Sequence, residues 1–396
     1  MNNEKIKEYL EKVNLDIRQT KDARFMDQKV TPDVLCIIAD CITNYIESIE
    51  NENREFTTKD IWSYQYSNDN VKAIFNKPDV LDRSAKSEYD KFFQQPLKAL
   101  AYSNVLFCEK RGNKNYFKVK NKNLLKYISI KERNALEFLL LYLEKVLRDS
   151  DIWKYFEDFF KNNDKQHFNE LKKNYEDFIL ENTSIKGRVE IRRIFTKVLN
   201  PLAYIGELHG TERGFFSRFP IDYSSLMYNR RNWRDIAKVK NETRDQYEAR
   251  AQNQVFAYTN YSIQKAKNII RSLYHSNSEV HDEFANDKAN QVHHIFMASD
   301  YPEIAFYLEN LILLTANQHL THAHTDNNTR TIDKDYQLIC LVSKSESIEQ
   351  SLAKNEPIYS KEDFLFVLES GLKVKLSNSI NFQEIRDELM TIYNKN

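Results

Sequence analysis

The sequence predicts a mainly α protein with small β elements (α+β). Three observations lead there. Glycine and proline are scarce, 6 and 7 in 396 residues, while 41% of the chain is hydrophobic. Long segments can therefore run unbroken and still fill cores. Apolar residues recur at helical spacing in segment after segment, and strand-like patterns are short and local. The length suggests two or three domains. We divide the chain into a helical region at 1–128, a helical connecting region with a basic loop at 129–258, and a C-terminal region at 259–396.

The first strong helix is expected at 31–49. Thr31 can cap it, Pro32 suits its first turn, and Val34, Leu35, Ile38, Cys41, Ile42 and Ile46 form a stripe. A second helix opens at 56–62 with a threonine cap. A polar stretch containing Pro78 follows. A third helix is expected at 87–102, where Tyr89, Phe92, Phe93, Leu97, Leu100 and Ala101 recur at helical spacing and Pro96 kinks or divides it. Segments 104–108 and 116–119 flank Lys110, Arg111, Gly112, Asn113, Lys114 and Asn115, a β-hairpin signal with a basic turn. Three helices and a basic hairpin resemble the order of a winged helix. That resemblance implies a DNA reader. Lys110, Arg111 and Lys114 would touch phosphates, and Lys86, Ser87, Lys91 and Gln95 could approach base edges; a helical subdomain whose hairpin lysines are merely solvated is the alternative.

Residues 128–198 read as helical, with aromatic-rich segments at 133–147 and 151–160. Asn200 and Pro201 read as a stop. Residues 207–214 form a polar loop with two glycines, from which Arg213, Arg218, Arg230 and Arg231 could face DNA; an ordinary connector is the alternative. Further on, 261–274 reads as a helix, 336–342 as a strand, and 361–369 and 381–393 as helices.

Residues 290–328 carry five of the nine histidines: His293, His294, His319, His322 and His324. Imidazole binds metals and takes a proton near neutral pH. Adjacent histidines on a strand point to opposite faces, so His293 can face a metal while His294 deprotonates water. Asn310 opens a short strand at 311–315, where its carbonyl would accept from a ring N–H of His294 and set the tautomer. A helix after Thr315 and Ala316 would bring His319 back beside His293. His167, His209, His275 and His281 receive no role.

A histidine pair, an asparagine and a further histidine in this order resemble the HNH (His-Asn-His) endonucleases, whose site is a ββα-metal fold. The spacing is close to that of colicin-type DNases. The resemblance covers 292–324. It implies His293 and His319 as metal ligands, His294 as general base and Asn310 as its positioning residue. It also implies one more ligand, His324 or His322. The two cysteine pairs that brace many relatives with zinc are missing. Mg²⁺ is the expected ion by resemblance, and imidazole ligands also admit Mn²⁺ or another transition metal.

A reader followed by such a module resembles type II restriction enzymes. The expected partners are double-stranded DNA, a separate DNA methyltransferase and a second copy in a homodimer. Neither a GxxxxGK[ST] loop nor a Gly-rich dinucleotide loop is present, so no ATP is expected. A less specific homing or phage nuclease, and a DNA-binding regulator with a structural metal, are the rival readings.

Composition sets bounds. Net charge is zero, which argues against a generic polycation. Charge is nonetheless uneven: residues 110–133 hold nine Lys or Arg and one acid, Glu132. Cys36, Cys41, Cys108 and Cys340 lack metal or redox spacing and read as thiols in a reducing compartment. With no signal-peptide pattern and no apolar run long enough to span a bilayer, the expected location is cytoplasmic.

Overall fold

The computed structural model describes residues 3–49, 54–82, 89–228, 244–324, 331–354, 358–377 and 379–394; for 89–90 and 244–255 it describes the backbone alone. The chain is mostly helical with small antiparallel sheets. It forms two compact units, Met1–Gln254 and Val255–Asn396. The first takes in both the helical region at 1–128 and nearly all of the connecting region. Among the described residues no helix is long and apolar enough to cross a membrane.

In the first unit the helix Pro32–Ser48 is the hub. Every residue from Pro32 through Ile42 is buried, so the expected stripe is in fact a core on all faces. The helices Tyr89–Tyr102, Lys122–Ile130 and Glu132–Asp149 surround it. Thr31 does not cap it: its hydroxyl is buried and makes no hydrogen bond among the described residues. Thr57 does cap the helix Thr58–Ser63, in a reciprocal box with Asp60.

The polar stretch after it departs from expectation. It forms the helix Gln65–Phe75, which buries only Val71, Ile74 and Phe75 among its apolar residues. So narrow an apolar face leaves little periodic signal. Pro96 neither divides nor ends its helix.

Strands β1 (Leu106–Arg111) and β2 (Lys114–Val119) pair antiparallel, with Arg111 opposite Lys114. Gly112 in the turn sits at φ 61°, where a side chain would be strained. Phe56 and Phe117 exchange backbone hydrogen bonds of 2.9 and 2.8 Å, adding an isolated bridge to this hairpin.

Two expectations for the connecting region are corrected. Asn200 and Pro201 do not stop the helix, which runs Arg188–Ile205. The polar loop is a hairpin of β3 (His209–Glu212) and β4 (Phe215–Pro220). One side chain explains both. Asn200 accepts from Thr211 N at 2.9 Å and donates to Thr211 O at 3.0 Å, so the hairpin docks on the helix and helps hold it through the proline.

In the second unit β5 (Gln291–His294) pairs antiparallel with β6 (Leu311–Leu314), placing His293 opposite Ile312 and His294 opposite Leu311. Around them lie the helices Lys334–Ala353, Lys361–Leu372 and Phe382–Asn394. The helix leading in begins earlier than expected, running Arg244–Tyr274. The strand expected at 336–342 is part of Lys334–Ala353. Tyr336, Gln337, Cys340, Leu341, Lys344, Ser345 and Ile348 are buried there at helical spacing, a face masked by polar members.

Candidate metal centre

Three buried polar clamps fix the β5–β6 pair. Asn310, fully buried, accepts from Phe296 N at 2.8 Å and donates to Phe296 O and Ile304 O at 3.0 and 3.2 Å. Gln337 donates to Ile295 O at 2.6 Å. Glu279 accepts from Leu313 N at 2.9 Å, and its own N–H meets Leu313 O at 3.0 Å, so β6 has no bare edge there.

Asn310 therefore positions the chain after the histidine pair and not, as expected, the His294 ring. The physical reason is reach. The connection between β5 and β6 must fold back, and its buried amide and carbonyls claim both donors and one acceptor position of the asparagine. His294 is oriented by a backbone carbonyl instead, with Nε2 3.0 Å from Ala305 O. A carbonyl only accepts, so Nε2 carries the hydrogen and Nδ1 keeps its lone pair.

After β6 the chain makes the expected helical segment as a π-helical turn, Gln318–His322. Gln318, fully buried, holds it in place. Its carbonyl accepts from Ser278 and from Thr315 N, while its amide donates to Val280 O and Asp282.

The turn delivers His319 and His324 to His293. The ring centroids of His293 lie 5.2 Å from His319 and 5.0 Å from His324, and the other two are 4.9 Å apart. One nitrogen from each ring lies within 4.8 Å of the others. His322 is elsewhere, stacked on Phe284 at 3.7 Å. The third member of the trio is thus His324. Its Nδ1 lies 2.7 Å from Thr331 O, which leaves Nε2 as a donor atom. His319 Nδ1 is buried with no hydrogen-bond partner among the described residues.

These residues fit a divalent ion. A tetrahedral site with bonds of about 2.1 Å sets ligand atoms about 3.4 Å apart, so the rings would have to draw closer around an ion. Burial, then repulsion from the neighbouring rings and Lys267, holds His293 well below the ordinary imidazole range. Burial, then His324 and Lys267, lowers His319 to about 4. For His294, burial followed by Lys267 outweighs the Ala305 bond and also brings it to about 4. All three are neutral near pH 7, as ligands and a base must be.

The trio opens on a cleft of about 660 Å³ that also exposes His294, Lys267, Arg271 and Asp300. Sequence reading overlooked these last three. The signal was present for two of them: Lys267 and Arg271 stand four apart on the helix leading into the histidine segment.

In the first unit, Lys91 and Gln95 line a separate cleft of about 540 Å³ with Lys29, Lys98 and Arg193. Gln95 accepts there from Lys29 N at 2.8 Å. Lys110 and Lys114 are exposed on the β1–β2 hairpin. Arg111 is already engaged by Glu55 at 2.8 Å and Glu109 at 2.6 Å. Arg213 is exposed in the β3–β4 turn at φ 54°, and Arg218 lies against Phe219. Lys86, Ser87, Arg230 and Arg231 lie outside the described residues.

No protein-family model, curated protein or solved structure matches this chain.

Proposed function

We propose that this chain is a metal-dependent endonuclease that hydrolyses phosphodiester bonds in double-stranded DNA, with a ββα-metal site of the HNH kind. One observation carries the reading. Three imidazole donors converge within 4.8 Å, and a fourth imidazole, His294, lines the same cleft with its tautomer set by Ala305 O. A divalent ion held by His293, His319 and His324 would stabilise charge on the scissile phosphate. His294 Nδ1 accepts the proton of the attacking water, and Ala305 O holds Nε2–H as the ring becomes cationic. Asn310 keeps the chain after His294 in place. An all-nitrogen donor set favours Mn²⁺, Co²⁺, Ni²⁺ or Zn²⁺, while Mg²⁺ remains the choice by resemblance.

The narrower part of the proposal is a type II restriction enzyme. The β1–β2 hairpin, tied by the Phe56–Phe117 bridge to the segment that opens the helix Thr58–Ser63, supports it, while the helix Gln65–Phe75 adds one member to the expected three. This role brings with it a separate DNA methyltransferase, cytoplasmic action and, for a palindromic site, a homodimer.

The test is incubation with unmethylated phage DNA and Mg²⁺ or Mn²⁺, beside His294→Ala. Discrete fragments from the wild type alone are expected, and a smear would remove the restriction role. DNA binding without cleavage by any metal would favour a DNA-binding regulator with a structural metal, a reading to which the burial of His293 and His324 also lends itself.

A further inference from the structure

The cleft beside the histidine trio is cationic, and little within it balances that charge. Lys267 and Arg271 are one turn apart on the helix Arg244–Tyr274, about 6 Å along its axis. Lys267 is half-buried, and burial followed by repulsion from Arg271 lowers its pKa. It makes no hydrogen bond or ion pair among the described residues. Among the described residues Arg271 hydrogen-bonds only Asn268 on its own helix, at 3.2 Å. Among the described residues Asp300 is the single carboxylate lining the cleft. It accepts from the Ser299 hydroxyl at 2.9 Å and pairs with neither cation among the described residues.

This arrangement is costly as it stands. A half-buried ammonium without a counterion loses solvation and gains nothing in return. Three imidazoles bring no negative charge to a centre that takes a divalent ion. The missing partner is therefore an anion, and a single small one would leave much of the charge unmatched. A chain of phosphates spaced along the cleft matches the ion, Lys267 and Arg271 together.

We infer that Lys267 and Arg271 are substrate-positioning residues that grip successive backbone phosphates of a nucleic-acid strand beside the His293, His319 and His324 centre. The inference rests on the proposed nuclease reading and names the groups that hold the strand in register with His294. Arg271 supplies a planar donor fork and Lys267 a point charge, and neither reads bases, so this grip is indifferent to sequence.

The test uses the full-length protein and a thymidine tetranucleotide, too short to engage other surfaces at once. Its affinity is measured with and without Mn²⁺ for the wild type and for the double variant Lys267→Gln, Arg271→Gln. Mn²⁺ affinity and thermal midpoint are measured on both. The double variant is expected to lose at least about tenfold in tetranucleotide affinity while its Mn²⁺ affinity and midpoint do not fall. The slope of log affinity against log salt should fall by roughly 1.4, two single-strand phosphate contacts. Equal tetranucleotide affinity in wild type and variant, or none in the wild type, would overturn the inference and leave a metal centre intact. Absence of Mn²⁺ binding in the wild type would instead sink the nuclease reading, and the metal-free affinities would still decide the grip.

Discussion

Glu279 and Lys344 form a fully buried ion pair that is anchored to β6. Lys344 Nζ lies 2.5 Å from Glu279 Oε2, and neither side chain reaches solvent. The other carboxylate oxygen of Glu279 grips Leu313 N in β6. Lys344 also donates to the Tyr359 hydroxyl at 3.2 Å and sits over the Tyr274 and Tyr359 rings. Burial lowers the pKa of Lys344 and Glu279 opposes that. The pair links the helix Lys334–Ala353 to the strand that faces His293.

Removing one partner leaves a buried charge without compensation. Lys344→Met is expected to destabilise the protein by about 3–5 kcal/mol. Adding Glu279→Gln should recover part of that loss. Urea denaturation of the two variants checks the pairing. Additive losses would mean that the charges act independently.

His322 and His324 are two residues apart and differ in kind. His324 faces His293 and His319, whereas His322 stacks on Phe284. His324→Ala is expected to lower Mn²⁺ affinity by about tenfold or more, and His322→Ala to leave it unchanged. Calorimetric titration distinguishes them, and the reverse order would reassign the third ligand.

Gly371 touches the site through Phe296. A Cβ at this position would lie about 2.5 Å from the Phe296 ring, whose backbone Asn310 clamps on both sides. Alanine normally favours a helix over glycine by about 1 kcal/mol. Here Gly371→Ala is expected to cost about 1–3 kcal/mol and to lower Mn²⁺ affinity as β5 shifts. A thermal midpoint at or above wild type would show that the ring has room to move.

Glu176 is buried between Arg188 and Arg192, at 2.8 and 2.7 Å. Burial pushes its carboxyl up, and hydrogen bonds from the two arginines more than reverse this, leaving it below the ordinary glutamate value. The folded state thus binds this proton less readily than the unfolded chain. The contribution is fully present above the unfolded pKa, about 4.3, and is lost as pH falls through the lower folded value. The stability gap between wild type and Glu176→Gln should shrink as pH drops below about 4.3. Urea midpoints at a series of pH values test this, and a gap independent of pH would remove the ion pairs from acid unfolding.

Local chemistry made much of this protein legible in its sequence. The helical class follows from scarce Gly and Pro with periodic apolar residues. The β1–β2 hairpin follows from Gly112 and Asn113 between strand-forming runs. The opposed faces of His293 and His294 follow from the two-residue period of a strand. Groups that meet across the fold were decided by tertiary structure alone. Asn310 serves Phe296 and Ile304 because a buried reversal must satisfy its own backbone. His324 joins the trio because Gln318 locks a π turn, an interaction with residues 36 to 40 positions away. The helix at 334–353 hides from periodicity because Gln337 and Lys344 occupy buried positions, with partners on distant segments making them tolerable there. A sequence carries the preference of each segment, but the partners that satisfy a buried polar group exist only once the chain has folded.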